Sequence, residues 1–109
     1  MAKVSFTKLG LVKNQEINIV KWNDQEIEIK QYLPINDKLN LISRVINNGH
    51  DISKNYANPV QVSIYTDLEI LYAYTNINFT DKQKEDVAKL YDLVKSSGLL
   101  DTVIFNIPE

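Results

Sequence analysis

The chain has 109 residues, 44% of them hydrophobic and 24% charged, with a formal net charge of −2 and a pI near 5.4. That length and composition fit one domain, residues 1–109, with enough apolar residues for a single core. They exclude a global basic field for nucleic acid, a membrane span of ~18 apolar residues, and, with no cysteine, disulfide or thiolate chemistry in this chain.

Met1–Phe6 lacks the apolar core of a secretory signal, so the expected compartment is the cytoplasm where the protein is made. Lys3–Lys8 alternates, with Val4 and Phe6 on one side and Ser5 and Thr7 on the other, which predicts a half-buried strand. Gly10 and Asn14 tolerate positive φ and mark a turn or irregular link.

Two further strand patterns, Glu16–Trp22 and Glu26–Tyr32, flank Asn23-Asp24-Gln25 and predict a hairpin. Its loop length decides which face is core, because a slip of one residue exchanges the faces. A three-residue loop puts Ile17, Ile19, Ile27 and Ile29 on one side, and is the register expected here. A loop of Asn23-Asp24 alone would instead join Val20 and Trp22 to Ile27 and Ile29. In the expected register Val20, Trp22 and Tyr32 lie on the outer face beside Glu26, Glu28 and Lys30. An exposed Trp with aliphatic and Tyr neighbours, rimmed by charge, has the composition of an interface centre. These three are the candidate protein-binding residues.

Helical patterns follow. Asn36 is a good N-cap, Asp37 suits the helix dipole, and Leu39, Leu41, Ile42, Val45 and Ile46 form one broad apolar face before Gly49. Gly49–Pro59 has the composition of a solvated loop. Val60–Thr75 fits both periods; its length favours a helix over Thr66–Tyr74, with Val60–Tyr65 open between strand and helix. Thr80 and Gln83 form a capping box for a helix running to Gly98, with Val87, Leu90, Tyr91 and Val94 on its apolar stripe. A short last helix is expected over Leu99–Asn106. The fold class is therefore α+β: an N-terminal antiparallel hairpin or three-stranded meander, then a small bundle of three to four helices.

Site chemistry is sparse. His50 is the lone histidine, and Gly49-His50-Asp51 offers it one carboxylate but no nucleophile. Glu26 and Glu28 share a strand face, but neither is flanked by residues that would bury it for acid–base work. The loop 47–58 misses the spacing of a calcium site, and the three glycines are too scattered to cradle a phosphate. Lys82, Lys84 and Lys89 alternate with acidic residues, as on a solvated face. No catalytic, metal-binding or cofactor-binding residue is assigned, and no cofactor is expected.

The string WNDQEIEIKQYLPINDKLNLISRVIN at Trp22–Asn47, with the later YTNINFT and DKQKEDVAKLYDLVKSSGLLD, resembles small structural proteins of tailed bacteriophages of Gram-positive bacteria. A hairpin leading into a few helices is similar to the tail assembly chaperones. That resemblance implies binding to tape-measure or tail-tube proteins, without catalysis or cofactor, in the host bacterial cytoplasm or in the virion. It carries no functional residue over, because the shared strings are structural. The expected function is a non-enzymatic protein-binding domain in virion assembly, partnered by phage tail or head components and not by nucleic acid or membrane. The rival expectation is a small phage-encoded regulator that docks on a host bacterial protein.

Overall fold

The computed structural model of the chain describes residues 2–51, 56–57 and 59–108, with the backbone alone for 49–51 and 56–57. The expectations for residues 52–55 of the loop, and for the side chain of His50, lie outside the described residues.

Strand β1 (Ile17–Trp22) pairs antiparallel with β2 (Gln25–Lys30), with Val20 opposite Ile27 and Trp22 opposite Gln25. The loop is therefore the two residues Asn23 and Asp24, not three. Their φ values of 47° and 64° are the type I′ geometry, which matches the twist of a hairpin and which Asn and Asp tolerate without glycine. The choice of turn sets the faces. Val20 and Trp22 join Ile27 and Ile29 on the core side, and Ile17 and Ile19 are left exposed opposite Lys30 and Glu28. Counting β-branched surface selected the wrong register; the left-handed turn residues selected the right one.

Helix α1 (Ile35–Gly49) follows; it starts at Ile35, so Asn36, expected as its N-cap, lies inside the first turn. Its first turn includes a bond from the Lys38 N–H to the Pro34 carbonyl (3.0 Å). The backbone continues through two short paired strands, β3 (His50–Asp51) and β4 (Tyr56–Ala57), into α2 (Pro59–Tyr74). Helix α2 absorbs Val60–Tyr65, which were open between strand and helix. Proline opens it at the first helical position, where its missing N–H costs nothing. The even-numbered apolar run that suggested a strand is explained by a helix that packs on several sides, against α1, β2 and α5.

The expected single helix after Thr80 is two: α3 (Asp81–Glu85) and α4 (Val87–Ser96). Thr80 and Gln83 make the predicted reciprocal capping box. The break falls at Asp86, whose carboxylate accepts from the Lys89 N–H at 3.3 Å and caps α4 separately. Gly98, at φ 84°, turns the chain into α5 (Leu99–Phe105). Among the described residues the α-helices thus number five, against the three to four expected. The third strand is also absent among the described residues: Phe6–Leu9 is an exposed 3₁₀ turn ending at Gly10 in the left-handed region. Two alternating apolar residues without a facing strand are not enough to hold Lys3–Lys8 extended.

The principal core joins β2, α2, α4 and α5 through Ile29, Leu68, Leu71, Val94, Leu100 and Val103. A smaller cluster of Leu33, Leu41, Val45 and Tyr74 holds α1 to α2. The outer edge of β2 is tied to the turn after α2: Ile29 bridges Thr75, and Asn76 bonds Glu28 through both its backbone and its side chain. The molecule is flat and extended, 55 × 44 × 22 Å, with a radius of gyration of 17.3 Å. A compact chain of this length would have about 13 Å.

Candidate functional site

Helix α1 carries more apolar surface than it buries. Leu41 and Val45 point into the seam with α2. Ile35, Leu39, Ile42 and Ile46, spaced four, three and four residues apart, form a second stripe along the same helix. All four are exposed, Ile46 at 58%. The broad face read from the sequence is thus two faces, about 100° apart by helical geometry, and one is uncovered.

This stripe adjoins an open pocket of about 230 Å³ between α1, α2 and the C-terminal end. Leu33, Leu41, Ile70, Tyr74 and Ile107 are among its apolar walls, and Ile42 lies at once on the stripe and on the pocket. At the start of α1, Lys38 places its ammonium 4.8 Å from the centre of the exposed Tyr32 ring. On the opposite flank Arg44 donates to the buried Glu69 of α2 at 2.8 Å, fixing the angle between the two helices. The stripe is therefore displayed by a helix held on one side by apolar packing and on another by a charge-assisted bond.

A second uncovered apolar set precedes β1. Residues 2–16 are exposed throughout, and they include Val4, Phe6, Leu9, Leu11 and Val12, the last at 92%. This arm is fastened to the body where the Gln31 N–H donates to the Glu16 carbonyl (3.0 Å).

The structure divides the three candidate binding residues. Val20 and Trp22 are half-buried and pack against the principal core. The geometric reason for giving them to an interface was the three-residue loop, and that reason is gone. Tyr32 is exposed, near the start of α1, in a different neighbourhood. Sequence reasoning missed Ile35 and the whole arm as surface. The 4-3-4 spacing of Ile35 to Ile46 was the available signal; it was merged with the Leu41 and Val45 face because both are apolar.

Elsewhere among the described residues the polar groups do not converge on a site. A cleft of about 600 Å³ lies between Ile77–Thr80 and the helices α3 and α4, with Phe79, Leu90 and Leu93 as its apolar walls. Of its polar residues, Thr80, Gln83 and Asp86 are turned to capping the two helices, and Asn78, Lys82 and Lys89 complete the lining. Glu26 and Glu28 are exposed on β2, opposite Lys21 and Ile19. Among the described residues no group of three or more His, Cys, Asp or Glu could hold a metal ion, and no helix is long and apolar enough to cross a membrane.

No family model, no curated protein and no solved structure matches the chain.

Proposed function

We propose that the chain is a non-enzymatic protein-binding domain that works in building a larger protein assembly, as the resemblance to phage virion-assembly proteins implies. The observation that carries this reading is the uncovered apolar stripe of α1 with its adjoining pocket. Four large apolar side chains on one exposed helix face, beside a pocket, are the pattern of a surface that another protein covers. Single exposed hydrophobes are common on soluble proteins; a regular stripe of four along one helix face is not. The partner is protein and not nucleic acid, since Arg44 is engaged with Glu69 and the face is apolar.

The test is site-specific photo-crosslinking in cells that natively encode the chain. A benzophenone side chain in place of Ile46 is expected to yield protein adducts. The same group at Asp92, an exposed residue of α4, is expected to yield few. Equal or absent adducts from both positions would overturn the reading.

A further inference from the structure

We propose that the partner on the α1 face is a second copy of this chain, and that the segment docking there is its N-terminal arm. This rests on the reading just given and names the partner. Two surfaces lack cover, and they complement each other. The arm presents Val4, Phe6, Leu9, Leu11 and Val12 within nine residues. The α1 face presents four large apolar side chains and a pocket. Within one chain the two sets do not bury each other, since the residues of both remain exposed.

Size supports the match. The stripe from Ile35 to Ile46 runs about 16 Å along the helix. The arm from Val4 to Val12, tightened by its 3₁₀ turn, spans at most about 22 Å. The 230 Å³ pocket falls below the ~300–1,000 Å³ usual for small-molecule sites and has room for one large side chain, such as the Phe6 ring. Charge supports it too. The arm holds Lys3, Lys8 and Lys13 and no acidic residue before Glu16. The other nine basic residues and all fourteen acidic residues lie from Glu16 onward, leaving the body at −5 against +3 for the arm. Opposite net charge steers the arm toward the body of a second copy and penalises arm against arm, while α1 itself, with Asp37, Lys38 and Arg44, leaves the close contact to apolar packing.

Because the donor and acceptor surfaces differ, each copy gives one arm and takes one: two copies can exchange arms, or the contact can run head to tail. A head-to-tail contact repeats into a ring if the rotation closes and into a filament if it does not. The flat, extended shape suits a subunit that reaches its neighbour through an arm.

The distinguishing experiment is sedimentation velocity on the full chain and two variants. One variant breaks the arm (Phe6→Asp with Leu11→Asp); the other breaks the face (Leu39→Asp with Ile46→Asp). The wild type is expected to form dimers or larger species as concentration rises. Each variant alone is expected to associate at least tenfold more weakly. An equimolar mixture is expected to form a 1:1 heterodimer and nothing larger, because one intact arm meets one intact face. Circular dichroism melts check that the variants fold, and Ile46→Gln is a milder face variant carrying the same expectation. A wild type that stays monomeric, an arm variant that assembles like the wild type, or a mixture that stays monomeric would each overturn the proposal. A monomeric wild type that still crosslinks another protein from position 46 would leave the protein-binding reading standing and remove only the second copy.

Discussion

The body and the arm of this chain use the same residue types and end in opposite states. In the body, Ile29, Leu71, Leu100 and Val103 are completely buried, where β2, α2, α4 and α5 meet. In the arm, Val4, Phe6, Leu9, Leu11 and Val12 remain in water. Helix α1 contains both conditions, buried along Leu41 and Val45 and uncovered along Leu39, Ile42 and Ile46. Apolar composition therefore does not decide what is core. Burial depends on whether another element is positioned to cover the side chain, and the arm has none in its own chain.

The sharpest way to probe this contrast is to truncate matched residues. Leu71→Ala in the body is expected to cost about 2–5 kcal/mol in urea unfolding, the range for a buried leucine leaving a cavity. Leu11→Ala in the arm, at a leucine 68% exposed, is expected to change monomer stability by less than about 0.5 kcal/mol, as surface substitutions do. Comparable losses from the two would mean that the arm is packed in solution.

The seam between α1 and α2 sits between these extremes. Arg44→Ala leaves the carboxylate of Glu69, whose side chain is 9% exposed, without its 2.8 Å partner. Half of the Arg44 side chain faces solvent, so water screens part of the interaction and replaces part of the bond. The expected loss is about 1–3 kcal/mol, as for a hydrogen bond to a charged group. An unchanged unfolding midpoint would show that α1 is held by apolar packing alone.

Much of the helical part was legible in the sequence, because local signals and tertiary packing agree there. The Thr80–Gln83 capping box, the Gly98 turn and the stripe of Leu90 and Val94 all appear as read. The break at Asp86 was missed because a second N-cap inside a helical pattern looks like one more polar residue on the solvent face. The hairpin register was missed because apolar counting favoured four isoleucines over the turn chemistry of Asn23-Asp24. That one slip moved Trp22 from the core side to the surface and displaced the candidate site with it. The stripe at Ile35 to Ile46 was readable as a period, but its exposure was not: a single sequence does not say which of two apolar helix faces finds a neighbour.

Smaller effects refine the picture of the body. Thr80→Ala is expected to cost about 1 kcal/mol in urea unfolding, the usual value for a lost N-cap. The separate cap at Asp86 confines the damage to the five-residue α3. Losing α4 helicity in the same variant, seen by amide exchange, would mean that the two helices form one cooperative unit.

At high pH the body is expected to weaken. Burial, then the nearby Glu69 and Tyr65, raises the Tyr72 phenol above its ordinary value of 10.0. A raised acid keeps its proton longer in the folded state. Its contribution is complete below pH 10 and fades as pH climbs through the folded value. Tyr72→Phe, followed by thermal melts across that range, is expected to flatten part of the decline. A slope unchanged by the substitution would assign it to other groups.

Photo-crosslinking between isotopically distinct copies tests the central claim most directly. One copy carries a benzophenone side chain in place of Phe6; the other is wild type, uniformly labelled with heavy nitrogen. The account predicts adducts joining position 6 of the light copy to heavy peptides containing Leu39, Ile42 or Ile46. Adducts confined to one copy, or falling on heavy peptides away from α1 and its pocket, would contradict it.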